Sequence, residues 1–179
     1  MAVLINQPND GTLILSLSNT KSGAGYRVES GSDLIGSTIL SLTWNLRRFG
    51  TPPAGDIEAR VYTSPTAYTV IGDPLDQTSI NNAAQQDYTF TSLTGQVISE
   101  GDYIVCWSTN GGTASSDIVK IYGESGCDNL TAGTDIAYTQ NESGTWNDDD
   151  DLCLSYGQIR CYGTGTLAGS NFVGLPPPP

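Results

Sequence analysis

The clearest pattern in the chain runs through Ile39–Arg48. Leu40, Leu42, Trp44 and Leu46 fall on one side of a two-residue repeat, and Ser41, Thr43, Asn45 and Arg47 on the other. That period is the signature of a strand with one face on a core, and a period of 3.6 does not fit it. Trp44, flanked on its own face by leucines, reads as a core anchor. Gly50, Pro52, Pro53 and Gly55 then break the pattern, and because proline donates no ladder hydrogen bond, Phe49–Asp56 reads as a loop. Ile57, Ala59 and Val61 resume an inward face, with Glu58, Arg60 and Tyr62 outward. Near the start, Val3–Ile5 and Thr12–Leu17 flank Gln7-Pro8-Asn9-Asp10-Gly11, whose Asp-Gly step suits a turn with positive φ and predicts a hairpin.

Further strands are predicted over Tyr68–Ile71, Tyr88–Thr91, Asp102–Trp107, Asp117–Tyr122, Asp135–Thr139, Asp151–Tyr156 and Ile159–Tyr162. Turn-forming residues separate them at intervals of about 8 to 12 residues, the spacing of an antiparallel sandwich or barrel. Only Ser79–Gln86 has a helix-like composition, and it is too short to change the class. The expected fold is all-β, an antiparallel two-sheet sandwich of the jelly-roll type. It divides into a hairpin arm over 1–24, the sandwich over 25–163, and a Gly/Pro-rich tail over 164–179 whose four final prolines favour an extended backbone. The arm and the tail read as additions that serve assembly.

Three stretches in order carry a resemblance. Ser41 to Tyr62 gives a strand, a Gly-Pro-Gly loop and a second strand ending in an aromatic. Tyr88-Thr89-Phe90 with Gly101-Asp102-Tyr103-Ile104-Val105 gives the next pair. Ser143-Gly144-Thr145-Trp146, an acidic run and Asp151–Gly157 close the series. Together they resemble the carbohydrate-binding-like or anchor-type jelly-roll modules of phage structural proteins and secreted surface proteins, over roughly residues 26 to 163. The resemblance implies a fold, and fold alone does not assign an activity.

Charge narrows the partners. A net charge of −12 with two lysines, Lys21 and Lys120, repels phosphate backbones and argues against nucleic-acid binding. No apolar run approaches the length of a membrane helix. The first residues show no basic stretch followed by an apolar block, so no secretory leader is expected.

The four cysteines, Cys106, Cys127, Cys153 and Cys161, lack the CxxC or histidine spacing of zinc sites. They are either two disulfides, which imply an oxidising exterior, or small buried apolar groups. Four cysteines permit three pairings. A tight hairpin around Tyr156-Gly157-Gln158 would set Cys153 opposite Cys161 and leave Cys106 for Cys127.

With no histidine in the chain, the commonest general base and the Ser-His and Cys-His pairs are missing. No nucleophile elbow or phosphate-binding glycine loop appears. A non-catalytic protein is expected.

The densest local charge is Asn147-Asp148-Asp149-Asp150-Asp151. Its successive carboxylates form either a solvated acidic turn or, through Asn147, Asp148, Asp149 and Asp150, a calcium site of oxygen ligands. Trp146 and Tyr138 lead the aromatic residues that could stack on sugar rings, and Asn129 and Asn141 begin glycosylation sequons. The function expected is a structural component of an extracellular assembly, a capsid decoration or fibre-type protein of a phage or virus particle. It would meet other virion or surface proteins and form a homo-oligomer, with a trimer favoured. The alternative is a secreted carbohydrate-binding or adhesive module with glycan partners.

Overall fold

The computed structural model describes residues 2–6, 13–32, 34–112, 117–125, 134–139, 146–148, 152–153 and 156–162. Strands β1 (Ala2–Asn6), β2 (Leu13–Leu17), β3 (Gly23–Val28), β4 (Thr38–Phe49), β5 (Asp56–Tyr62), β6 (Tyr68–Asp76) and β7 (Gln86–Val97) make the first half of the chain. They are followed by β8 (Tyr103–Ser108), β9 (Ile118–Ser125), β10 (Thr134–Thr139), β11 (Trp146–Asp148), β12 (Leu152–Cys153) and β13 (Tyr156–Tyr162).

Two antiparallel sheets contain all of them. One carries the order β2-β9-β4-β7, and the other carries β3-β8-β5-β6. Eight strands wound alternately into two four-stranded sheets in this order form a jelly roll. The remaining strands extend it: β10 and β11 add to the β3 side of the second sheet, while β13, β1 and β12 join the first.

The long strand β4 organises the first sheet. Along one edge it pairs with β7 over Thr38–Leu46. Along the other it pairs with β9 over Leu46–Phe49 and with β13 over Thr38–Trp44. One strand therefore hands over to another near residue 45. The outer column repeats the arrangement, with β2 on β9 and β1 on β13.

This corrects the expected hairpin. Both β1 and β2 run in the direction of β4, so the Pro8-Asn9-Asp10-Gly11 link joins two strands of the same sense that cannot pair antiparallel with each other.

The inner faces meet in one core that includes Ile39, Leu42, Trp44, Leu46, Ile57, Ala59, Val61, Ile104 and Ile121. Leu40 is only half-buried, contrary to the simple alternation. Arg160 pairs with Ser41 and Cys161 with Ile39, leaving Leu40 as an extra residue. Such a bulge reverses the phase of alternation and turns Ile39 inward.

At one end of the sandwich the buried Gln77 ties loops together. Its Nε2 donates to the carbonyls of Pro53 and Asn110, its N–H donates to Gly55, and its Oε1 accepts from Ser108. Gln77–Ser79 is a single 3-10 turn, started by Asp76 accepting from the Thr78 N–H. No helix forms over Ser79–Gln86. Strand β3 was not expected, because Gly23 and Gly25 lower its strand propensity. The tail over 164–179 lies outside the described residues.

Candidate functional site: an aromatic and guanidinium face on the second sheet

Successive residues of a strand point to opposite faces, so the partners of the inward Ile57, Ala59 and Val61 belong on the outer face of the second sheet. Glu58, Arg60 and Tyr62 were expected to meet solvent there, yet Arg60 and Tyr62 are each only 2% exposed. The cover comes from neighbouring strands. On β8, Tyr103, Val105 and Trp107 stand opposite Tyr62, Arg60 and Glu58. Tyr62, Val105 and Trp107 form a second buried cluster, with Tyr103 and Trp146 packed against it.

The rings are in contact. Tyr62 lies 5.0 Å from Tyr68 and 5.8 Å from Trp107 between centroids, and Trp146 meets Tyr62 edge-on at 5.1 Å and stacks on Tyr103 at 4.3 Å.

Trp146 arrives from far away in the ladder. Its strand β11 is three strands from β8, about 14 Å across a flat sheet at about 4.8 Å per strand. The outer face is therefore concave, and two glycines in β3 permit the bend. A Cβ on Gly25 would overlap the Ile104 carbonyl and the Val105 Cα, and one on Gly23 would overlap the Trp107 ring. Glycine inside a strand marks such a bend or close approach.

Arg60 is the charged centre of the face. Its Nε donates to Glu58 Oε2 at 2.6 Å and its Nη1 to the Tyr62 hydroxyl at 2.8 Å. Its guanidinium lies 4.0 Å from the Tyr68 ring centre and 4.6 Å from that of Trp107. Burial acts to lower its pKa, and the bonds to Tyr62 and Glu58 outweigh it, so Arg60 is held above its ordinary value. The cation is locked in by charge, hydrogen bonds and ring faces together. Nearby, Arg27 pairs with Glu29 at 3.0 Å and lies over the Tyr103 ring. The Trp146 Nε1 is buried with no hydrogen-bond partner among the described residues, while Tyr68 is 42% exposed.

Of the residues singled out from the sequence, Trp146 belongs to this face. Tyr138 lies on β10, its backbone paired with Ala24 and Asn147. Asn147 and Asp148 continue β11, while Asp149, Asp150 and Asp151 lie outside the described residues. No group of three or more His, Cys, Asp or Glu able to hold a metal ion occurs among the described residues.

The expected cysteine hairpin is not formed. Cys153 pairs with Glu124 on β9, and Cys161 pairs with Val3 and Ile39, so the two do not oppose each other on one ladder. Cys106 is a free, buried thiol, against the expected bridge to Cys127, which lies outside the described residues. Burial in apolar surroundings pushes the Cys106 pKa up.

Arg60 and Tyr103 are not marked as site residues by the chain's alternation, although one signal is present. Tyr103-Ile104-Val105-Cys106-Trp107 is apolar at every position, the mark of a strand buried on both faces.

Comparison with protein-family models, with curated proteins and with solved structures finds no match. Among the described residues no helix is long and apolar enough to cross a membrane.

Proposed function

We propose that the protein is a non-catalytic structural component of an extracellular assembly, of the capsid-decoration or fibre type of a phage or virus particle. The observation that carries this reading is the closed second sheet. An outer face that solvent or a ligand would normally meet is filled by Trp107, Tyr62, Arg60 and Trp146 from the same chain. The jelly roll thereby gains a second small core, which favours rigidity over an open cleft. Jelly rolls recur in viral capsid and lectin domains, so particle assembly and glycan binding are the two natural roles for this fold.

The reactive side chains are also used as fasteners. Glu58 holds Arg60, Asp102 accepts from the Ser99 N–H, and Asp117 accepts from the Thr51 N–H. The test is the mass in solution by light scattering, together with co-sedimentation with particles. A closed homo-oligomer, with a trimer expected, supports the reading. A monomer at every concentration, with no particle association, overturns it.

A second reading, a carbohydrate-binding or adhesive module, draws on one observation. Trp146 stacks on the partly exposed Tyr103 ring, and its buried Nε1 has no hydrogen-bond partner among the described residues; aromatic faces of this kind suit the apolar face of a sugar ring. Glycan-array binding lost in Trp146→Ala would favour this reading over the first.

A further inference from the structure

The outer face of the first sheet carries a different feature. Arg47 on β4 pairs with Lys120 on β9, and Lys120 pairs with Ser16 on β2, so Ser16, Lys120 and Arg47 form one row across three strands. Directly opposed residues share a face, and Phe49, two positions beyond Arg47, shares this one. Both cations converge on its ring: Arg47 Cζ lies 4.5 Å from the centroid and Lys120 Nζ 4.1 Å.

Neither cation has a carboxylate within salt-bridge distance among the described residues. Arg47 Nε donates to the Asn82 carbonyl, and Asp87 on the adjoining strand is engaged by Asn45. Ile14, 46% exposed, pairs with Tyr122 in the next row of the same face. The chain has 7 Lys and Arg against 19 Asp and Glu. Two of those few cations therefore gather around one phenyl ring with no carboxylate paired to them among the described residues, next to an exposed aliphatic side chain.

We propose that this patch is an interface for a second copy of the chain, engaged through that copy's carboxylates. The inference rests on the assembly reading above and names the contact that would serve it. A molecule of net charge −12 repels its own copies, so association needs a surface where the sign reverses, and complementary potentials both orient and select the partner. The patch is basic and the rest of the molecule predominantly acidic, so the contact joins two different surfaces. Such head-to-tail contacts close into rings or run on as filaments.

The experiment measures mass by light scattering for the full chain and for Arg47→Glu/Lys120→Glu, with Arg47→Gln/Lys120→Gln as a milder variant. Each is read at about 50 mM and about 1 M NaCl, where the screening length falls from more than 10 Å to about 3 Å. The expected result is an oligomer of the unaltered chain at low salt that dissociates at high salt. Both variants should stay monomeric at low salt with unchanged circular dichroism and melting.

If the unaltered chain assembles and the folded variants assemble equally well at either salt, the patch is not the interface while the assembly reading stands. If the unaltered chain is monomeric throughout, the second-copy proposal is wrong, and the assembly reading falls with it only where co-sedimentation with particles is absent as well. If the monomer instead binds heparin through Arg47 and Lys120, the occupant is a polyanion and the second-copy proposal is wrong.

Discussion

Arg60 shows how a single side chain can be mistaken for a surface residue. It sits where period-two alternation points to solvent, and it is the most fully enclosed charge among the described residues. A buried pair is costly to break because its partner is left uncompensated. Arg60→Met should lose about 3–5 kcal/mol in urea unfolding, and adding Glu58→Gln should restore part of that loss, because the stranded carboxylate is then gone. Arg60→Lys should not substitute, since an ammonium lacks the plane that lies between Tyr68 and Trp107.

Asp102 behaves in the opposite way. It is 4% exposed, and burial raises its pKa above 3.8 despite the bond from the Ser99 N–H. The folded state therefore holds this proton more tightly than the unfolded chain. The associated stability is complete below about pH 3.8 and is lost as pH rises through the higher folded value. Asp102→Asn keeps an acceptor for Ser99 and never ionises. Its stability relative to the unaltered protein should grow between pH 3 and pH 7 in parallel urea titrations, and a gap that shrinks would contradict the assignment.

At the scale of the element, β3 depends on what it lacks. Gly25→Ala places a methyl where the β8 backbone runs. Overpacking of this kind costs about 1–3 kcal/mol, and the variant should also loosen the Trp146 contact, seen as a red shift in tryptophan emission.

The same strand marks the boundary of what the sequence made legible. The inward faces of β4 and β5 could be read because Leu42, Trp44, Leu46, Ile57, Ala59 and Val61 alternate cleanly with polar neighbours. β3 could not, because its glycines matter through close approach to a neighbouring strand rather than through propensity. The handover from β9 to β13 along β4 was equally hidden, since it depends on strands far apart in the chain. The aromatic face was half legible: Trp146 stood out from its polar, glycine-flanked setting, whereas Arg60 and Tyr62 looked outward until the curl of the sheet turned them into a core.

Across the whole molecule, the sealed interior has a direct chemical readout. Cys106 is fully buried, so iodoacetamide should leave it unmodified in the native protein and alkylate it once urea opens the sandwich, as followed by peptide mass mapping. Native-state labelling of Cys106 would mean that the two sheets separate readily.

The pairing of the first described strand with the last also sets how the molecule would respond to a pull. Ala2 lies opposite Tyr162, and Asn6 opposite Gln158, so tension applied at residues 2 and 162 acts across the ladder rather than along it. Hydrogen bonds in an antiparallel pair lie perpendicular to the strands, and loaded from one end they give way one after another, as in a zipper. Under such a load β1 is expected to peel from β13 first, while β13 remains held on its other edge by β4 of the eight-stranded body.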